Sequence, residues 1–335
     1  MAKDSITSAD VARLAKVSQS AVSRSFSPGA SVAEATRARV VAAAKTLGYR
    51  PNALARAMIS GRSKLIAILV AYLDNQFYPQ VLEQMSRALQ ERGYQVLLFM
   101  TDPGDQDGVV QKMLQYQVEG IVMASATLSS GLARECTRTG VPVVLFNRTV
   151  SSSPASSVTS DNIGGGRCLA HFLCGGQHRH VAFIAGQEDS STSRDREAGF
   201  RKGLAECGMV LFGRAIGNYT LEGAASATRQ LFARSVRPDA MFVANDHMAI
   251  RVMDVLRSEY GLKIPEDVSI VGYDDVPAAS WGGYGLTTVA QPCAPMVETT
   301  VAILLEQVEQ RAVQKRAAVL PATLVVRTSA RLPQA

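Results

Sequence analysis

Hydrophobic and polar positions split the chain into a short helical head and a longer body where apolar runs alternate with helical stretches. In the head, Ser8 stands before the periodic run Ala9–Ala15, with Val11 and Leu14 on one face, so a helix capped by the Ser8 hydroxyl is expected. Ser18 offers a second cap. Gln19–Phe26 predicts another short helix, with Val22 and Phe26 facing inward and Ser27-Pro28-Gly29 ending it. Ser31-Val32-Ala33-Glu34 fits a capping box for a third helix through Leu47. Its apolar stripe is Val40, Val41, Ala44 and Leu47, and Gly48 is its stop. Two short helices joined by a tight turn, with a third across them, predict an all-α helix-turn-helix headpiece. A further stretch, Asn52–Met58, is Ala-rich and too short to be helical alone, so it folds only against a partner or a groove.

In the body, Leu65–Val70 is an unbroken apolar run suited to a strand buried on both faces. Helical patterns near 79–92, 105–117 and 129–139 alternate with strand runs at Gln95–Phe99, Gly120–Met123 and Val141–Phe146. The pattern then restarts, with helices near 163–174, 192–207, 221–234 and 246–260. Between them lie strand runs at His180–Ile184, around 214–217, at Ala240–Ala244 and at Val268–Gly272. Successive strand–helix–strand units predict parallel sheets. Two wound units of similar size predict two doubly wound α/β lobes, with ligand bound in the cleft beyond the carboxyl ends of the strands.

The charge sharpens this division. The 335 residues carry a net +6. Residues 1–62 hold ten basic and three acidic side chains, a net +7, while the rest hold 25 basic and 26 acidic, a net −1. A basic head on a neutral body points to a polyanion at the head and a separate task for the body. In a helix-turn-helix the second helix enters the major groove by its N-terminal end. Gln19, Ser20 and Arg24 project from that helix: Gln reads adenine, Arg reads guanine and Ser serves either. The bland alternative, a small helical bundle with a solvated basic face, explains the charge but not the polar tip.

Polar side chains gather where the body's strands end. Phe77 and Tyr78 follow the first, and Asn147 and Arg148 the fourth. Ser190, Thr192, Arg194 and Arg196 follow Ile184-Ala185-Gly186, and Tyr219, Asn245, Asp246 and Asp274 close later strands. Amides and carboxylates bind hydroxyls, aromatic faces cover C–H surfaces, and arginine clamps an anion, so the set suits a polyhydroxylated ligand. The same residues also serve as loop and helix caps, Asp246 before Met248-Ala249-Ile250 being one. Spacing alone leaves both readings open.

Other chemistries find little support. Gly164-Gly165-Gly166 is not a dinucleotide fingerprint, and reads as close backbone packing. There is no P-loop, nucleophile elbow or H-E-x-x-H, and His178 and His180 read as loop residues, so no enzyme activity, cofactor or metal is expected. Five scattered cysteines read as small apolar fillers in a reducing cytoplasm. No run is long and apolar enough to span a membrane, and the first residues show no apolar signal core, so a cytoplasmic location is expected. That start and the basic head argue against a secreted solute-binding protein.

The head resembles the headpiece of the lactose-repressor (LacI/GalR) family of bacterial transcriptional regulators. The resemblance rests on Asp10-Val11-Ala12, Val17-Ser18, Val22-Ser23-Arg24, Thr36-Arg37 and Leu47-Gly48-Tyr49-Arg50-Pro51-Asn52. It extends over the body through Asp161-Asn162, Gly175-Gly176-Gln177-His178-Arg179, Arg196-Glu197-Ala198-Gly199-Phe200 and Ala244-Asn245-Asp246-His247-Met248-Ala249. Val268-Ser269-Ile270-Val271-Gly272-Tyr273-Asp274-Asp275 and Leu286–Pro292 complete it.

The resemblance implies three segments: a headpiece at 1–50, a hinge helix and linker at 51–62, and a periplasmic-binding-protein-like core at 63–335. The core's first lobe would comprise about 63–162 and 293–321, and its second about 163–291 and 322–335. It implies a homodimer on a near-palindromic operator in double-stranded DNA, controlled by a small-molecule effector, a sugar or sugar acid. It extends the DNA-contacting set to Ser18, Ser23, Asn52, Arg56 and Met58, and assigns Phe77, Asn147, Thr192, Arg196, Tyr219, Asn245 and Asp274 to the effector.

The chain departs from the family pattern at three of these positions. Met58 stands where a hinge-helix leucine usually wedges into the minor groove. Lys16 stands where a turn glycine is common, at a cost of about 1 kcal/mol if φ is positive there. Asn147 stands where sugar-binding members often have Asp, which favours an acidic sugar. No heptad run follows residue 320, so no coiled-coil tetramer tail is expected.

Overall fold

Residues 6–26, 29–50, 62–101, 106–124, 129–150 and 153–334 are described in the computed structural model. The expected hinge helix, with Asn52, Arg56 and Met58, lies outside them. The chain divides into two units, Met1–Ser63 and Lys64–Ala335.

The first unit holds helices α1 (Ser8–Ala15), α2 (Gln19–Ser25) and α3 (Glu34–Leu47). Their contact surface is built from Val11, Ala12, Ala15, Val22, Val40, Ala43 and Ala44, with Val17, Phe26, Leu47 and Tyr49 packed around it. Several sequence expectations need correction. Thr7, not Ser8, caps α1, and Asp10 Oδ2 accepts from both Thr7 N (3.0 Å) and Thr7 Oγ1 (2.8 Å). Ala33, not Ser31, precedes α3, and no side chain caps that helix. Leu14 and Val41 are about half exposed, because three short helices leave no fourth surface to cover them. Ser18 caps α2 by accepting from Ala21 N at 3.2 Å. Lys16 ends α1 at φ 53°, ψ 52°, the left-handed conformation a turn glycine adopts freely, and Gly48 ends α3 at φ 69°. Arg37 donates to Ser25 O (2.6 Å) and Ala30 O (3.0 Å), tying α3 to the end of α2.

In the second unit, β1 (Leu65–Val70), β2 (Gln95–Met100), β3 (Gly120–Ala124), β4 (Val143–Phe146) and β5 (Ser156–Ser160) belong to one sheet. The intervening helices are α4 (Phe77–Glu91), α5 (Gln106–Gln115) and α6 (Ser130–Arg138). The chain then crosses into α7 (Asn162–Gly175), β6 (Val181–Ala185), α8 (Ser191–Glu206), β7 (Gly213–Ile216) and α9 (Leu221–Phe232). After these come β8 (Ala240–Val243), α10 (Asp246–Tyr260) and β9 (Ser269–Val271). The end comprises β10 (Thr288–Ala290), α11 (Cys293–Gln310), β11 (Ala317–Leu320) and β12 (Thr323–Val325). The first sheet is ordered β11-β5-β4-β3-β1-β2 and the second β7-β6-β8-β9, both entirely parallel.

Two lobes result, joined by chain crossings at 160–162, 290–293 and 320–323. Hydrogen bonds knit these crossings: Ser160 Oγ to Gln291 Oε1 at 2.8 Å, and Asp161 N to Leu320 O at 2.7 Å. β5 is a surprise, since Ser-Ser-Val-Thr-Ser is buried throughout. The Ser156 hydroxyl receives Gln307 Nε2 and Arg316 N, both at 3.1 Å, so its polar atom is satisfied away from water.

The glycine run belongs to the α7–α8 contact. A Cβ on Gly166 would collide with Arg196 O, and one on Gly199 with Ile163 O, so only glycine lets these helices lie so close. Cys136 is buried, but Cys168 and Cys207 are exposed, so the filler reading fails for those two. No helix among the described residues is long and apolar enough to cross a membrane.

Candidate functional site

In the head, Ser18, Gln19, Ser20, Ser23 and Arg24 are all exposed along α2 and its N-terminal approach. The Ser18 and Ser20 hydroxyls lie 2.9 Å apart, and Arg24 Nε donates to Ser20 O at 3.4 Å, folding the guanidinium back along the helix. The inner side of the same helix is held by Val22, which is buried.

In the second unit, one buried polar cavity lies between the lobes, lined by Tyr72, Asn75, Tyr78, Asn147, Arg148, Thr192, Arg196, Tyr219, Asn245 and Asp274. Most come from a strand's carboxyl end or the turn after it, and Tyr78, Thr192 and Arg196 from the first turns of the helices that follow, so parallel topology brings together residues some 200 positions apart. Three of the lining residues hold left-handed backbone: Asn147 (φ 56°), Tyr219 (φ 59°) and Asp274 (φ 122°). Asn and Asp accept such angles more readily than Tyr, and strain of this kind gathers where side chains must be aimed. Gly186 makes room for the Tyr219 ring, which a Cβ there would strike.

Arg196 is the centre of the second lobe's share. Its Nε donates to Asn162 Oδ1 (2.8 Å), Nη1 to Ala244 O (2.6 Å) and Nη2 to Asp274 Oδ1 (3.2 Å), while the guanidinium lies 3.7 Å over the Tyr273 ring. Asp274 Oδ1 also accepts from Gln291 Nε2 at 2.8 Å. Burial pushes the Asp274 carboxyl above its ordinary range, opposed by Arg196 and the amides of Asn75 and Gln291. Asn245 uses its Oδ1 to accept from Met248 N at 3.0 Å, so it, and not Asp246, caps α10. Asp246 turns away and accepts from Thr288 Oγ1 (2.6 Å) and Val276 N (3.0 Å). Burial and the nearby Asp274 push its carboxyl up to about 7.

Contacts across the cleft hold the lobes together. Thr149 N donates to Ser191 Oγ at 2.9 Å, Arg148 Nη1 to Thr192 Oγ1 at 3.0 Å, and Ala278 N to Gln76 Oε1 at 3.1 Å. The free space in this pocket is about 10 Å³, the room a single water needs, so a sugar fits only when the lobes part.

Six of the seven residues singled out from sequence line this cavity: Asn147, Thr192, Arg196, Tyr219, Asn245 and Asp274. Phe77 does not. It is buried beneath the cavity wall, 5.4 Å from the Tyr78 ring and 6.3 Å from Phe146, and acts as packing. Tyr78 and Arg148 stood out at strand ends without entering that set. Tyr72 and Asn75 were missed, although the turn after β1 was open to the strand-end argument. Arg194 is exposed and bonds Glu188 O and Asp189 O, outside the cavity.

Residues 7–52 match the family described as bacterial regulatory proteins, lacI family, and residues 169–330 match a periplasmic binding protein-like domain. Fold and cavity thus define a class, that of transcription regulators with a helix-turn-helix unit joined to a two-lobed ligand-binding core. The ribose operon repressor of Escherichia coli (strain K12) is 31% identical over 331 residues, covering 97% of this chain and 99% of that protein. The lac repressor dimer bound to operator and an anti-inducer superposes with a TM-score of 0.87 at 28% identity, over 97% of this chain and 99% of that one. The complex of the transcriptional regulator CelR with cellobiose gives 0.73 at 31% identity, over the same shares. The chain belongs to the lacI family of bacterial regulatory proteins. It is a DNA-binding transcriptional regulator and not an enzyme.

Proposed function

We propose that this regulator is a cytoplasmic repressor of carbohydrate or sugar-acid metabolism genes, acting as a homodimer on a near-palindromic operator. Residues 1–50 would read DNA, 51–62 couple the two tasks, and 63–335 bind effector and dimerise. The carrying observation is that the polar strand-end residues converge on one buried interlobe cavity. Its hydroxyls, amides and single carboxylate suit a polyol, as expected of a relative of a ribose operon repressor and of CelR, which is seen in complex with cellobiose. Ser18, Gln19, Ser20, Ser23 and Arg24 would face the major groove, and Asn52, Arg56 and Met58 the operator centre. Dimerisation has a surface to use: β2 is an edge strand and exposes Leu98 and Met100.

Effector would change lobe closure, and closure would bias the hinge, so effector and operator share one reciprocal coupling energy of about 1–3 kcal/mol. The test is gel-shift titration of the full-length protein on palindromic operators, with and without sugars and sugar acids. A specific shift altered by one ligand supports the reading. Arg24→Ala is expected to relax base preference at one operator position, and unchanged specificity would refute the assignment of α2.

A further inference from the structure

We propose that the effector carries an anionic group, a carboxylate or a phosphate, and that Arg148 is its counter-charge. This rests on the cleft being the effector site. Two guanidiniums and one carboxylate line the cavity. The carboxylate, Asp274, is already engaged, holding Arg196 at 3.2 Å. Arg148 is as deeply buried as Arg196 but forms no ion pair among the described residues. Its hydrogen bonds all go to neutral oxygens: Asn147 O (2.7 Å), Thr192 Oγ1 (3.0 Å) and Tyr72 Oη at the long distance of 3.5 Å. An arginine stays protonated at any physiological pH, so the cavity carries an uncompensated positive charge.

A buried charge is costly unless paired, and it persists where a ligand supplies the partner. The neighbouring residue reinforces this. Asn147, whose backbone carbonyl accepts from Arg148, is an amide and not a carboxylate; its buried Oδ1 has no hydrogen-bond partner among the described residues and remains to accept a ligand hydroxyl. Helices α8 and α10 both begin at the cavity, through Thr192 and Asn245, so their positive ends favour the same sign of ligand. A neutral sugar would leave this charge unanswered, whereas a sugar acid or sugar phosphate would meet it with an oxyanion and use the tyrosine, threonine and amide groups for its hydroxyls.

Calorimetric titration of the full-length protein with matched triplets tests this: ribose, glucose and galactose, each with its aldonic or uronic acid and its phosphate ester. The tightest binder is expected to be charged, with its neutral parent about 10- to 100-fold weaker, the difference a charge-assisted hydrogen bond makes. The acid or ester being tighter tells carboxylate from phosphate. Asn147→Asp adds a negative charge beside Arg148 in the lining of the same cavity. It is expected to raise the Tm of the ligand-free protein and to weaken the charged ligand about 10-fold more than its neutral parent. A neutral sugar binding as tightly as its charged relatives, no charged member binding, or a lowered Tm in N147D would overturn the inference. A charged sugar that binds tightly without altering operator affinity upholds the anion site and instead defeats the effector reading.

Discussion

Asn75 Nδ2 donates to Asp274 Oδ2 at 3.2 Å, joining the turn after β1 in one lobe to the turn after β9 in the other. The carboxylate that neutralises Arg196 therefore also fastens the cleft, so charge balance and lobe closure meet in one side chain. Removing it should do two things. Asp274→Ala leaves Arg196 buried without a partner, expected to cost about 3–5 kcal/mol in urea denaturation. It should also abolish the effector's influence on operator affinity. Asn75→Ala removes the cross-cleft bond and the local one that Asn75 Oδ1 accepts from Phe77 N, and should cost about 1–2 kcal/mol while shifting effector affinity. Equal stability losses in the two variants would show that the Arg196 pairing is not the larger contribution.

The α7–α8 contact makes a steric prediction. Gly166→Ala places a methyl against Arg196 O, backbone that cannot swing aside. The helices must separate, at an expected cost of about 1–3 kcal/mol, and Arg196 must shift in the cavity. Thermal unfolding should show the loss, and ligand titration should show weakened binding.

Lys16 holds a left-handed turn between α1 and α2. Lys16→Gly should stabilise the head by up to about 1 kcal/mol, read as slower amide exchange in α1 and α2 of the full-length protein. The same change removes a positive charge. If Lys16 also touches a phosphate, the salt dependence of operator binding should become shallower by about one ion.

Asp246 gives a pH signature. Its folded-state carboxyl stands near 7, well above the ordinary 3.8. A raised value means the folded state holds the proton more tightly than the unfolded chain. The contribution is present in full below the unfolded value and fades as pH rises towards about 7. Asp246→Asn keeps an acceptor for Val276 N and offers a donor to Thr288, but cannot titrate. Its Tm relative to the parent should therefore rise as pH goes from about 4 to about 7. A constant difference over that window would rule out titration of Asp246.

Much of this was legible in sequence because apolar periodicity is a local property. Leu65–Val70 announces a strand buried on both faces wherever it sits. Polar residues after such runs in a parallel sheet must gather at one end, and the family resemblance narrowed those candidates to a set of which Asn147, Thr192, Arg196, Tyr219, Asn245 and Asp274 line the cavity. Phe77 misled because the first turn of α4 faces the hydrophobic layer, and one residue along a helix turns a side chain by about 100°. The polar strand Ser156–Ser160 carries no apolar signal, since its hydroxyls are answered by Gln307, Arg316 and Gln291 from more than a hundred positions away.

By itself, then, the sequence determined the helix-turn-helix head, the two wound lobes and the strand ends that meet between them. Each follows from nearest-neighbour chemistry: period, caps, charge balance and strand order. Tertiary structure alone decided which charges are answered. Arg148 and Arg196 read alike in the chain, yet one faces Asp274 and the other only neutral oxygens. That difference depends on which side chains the closed lobes bring within about 3 Å of each other, a distance no local pattern encodes.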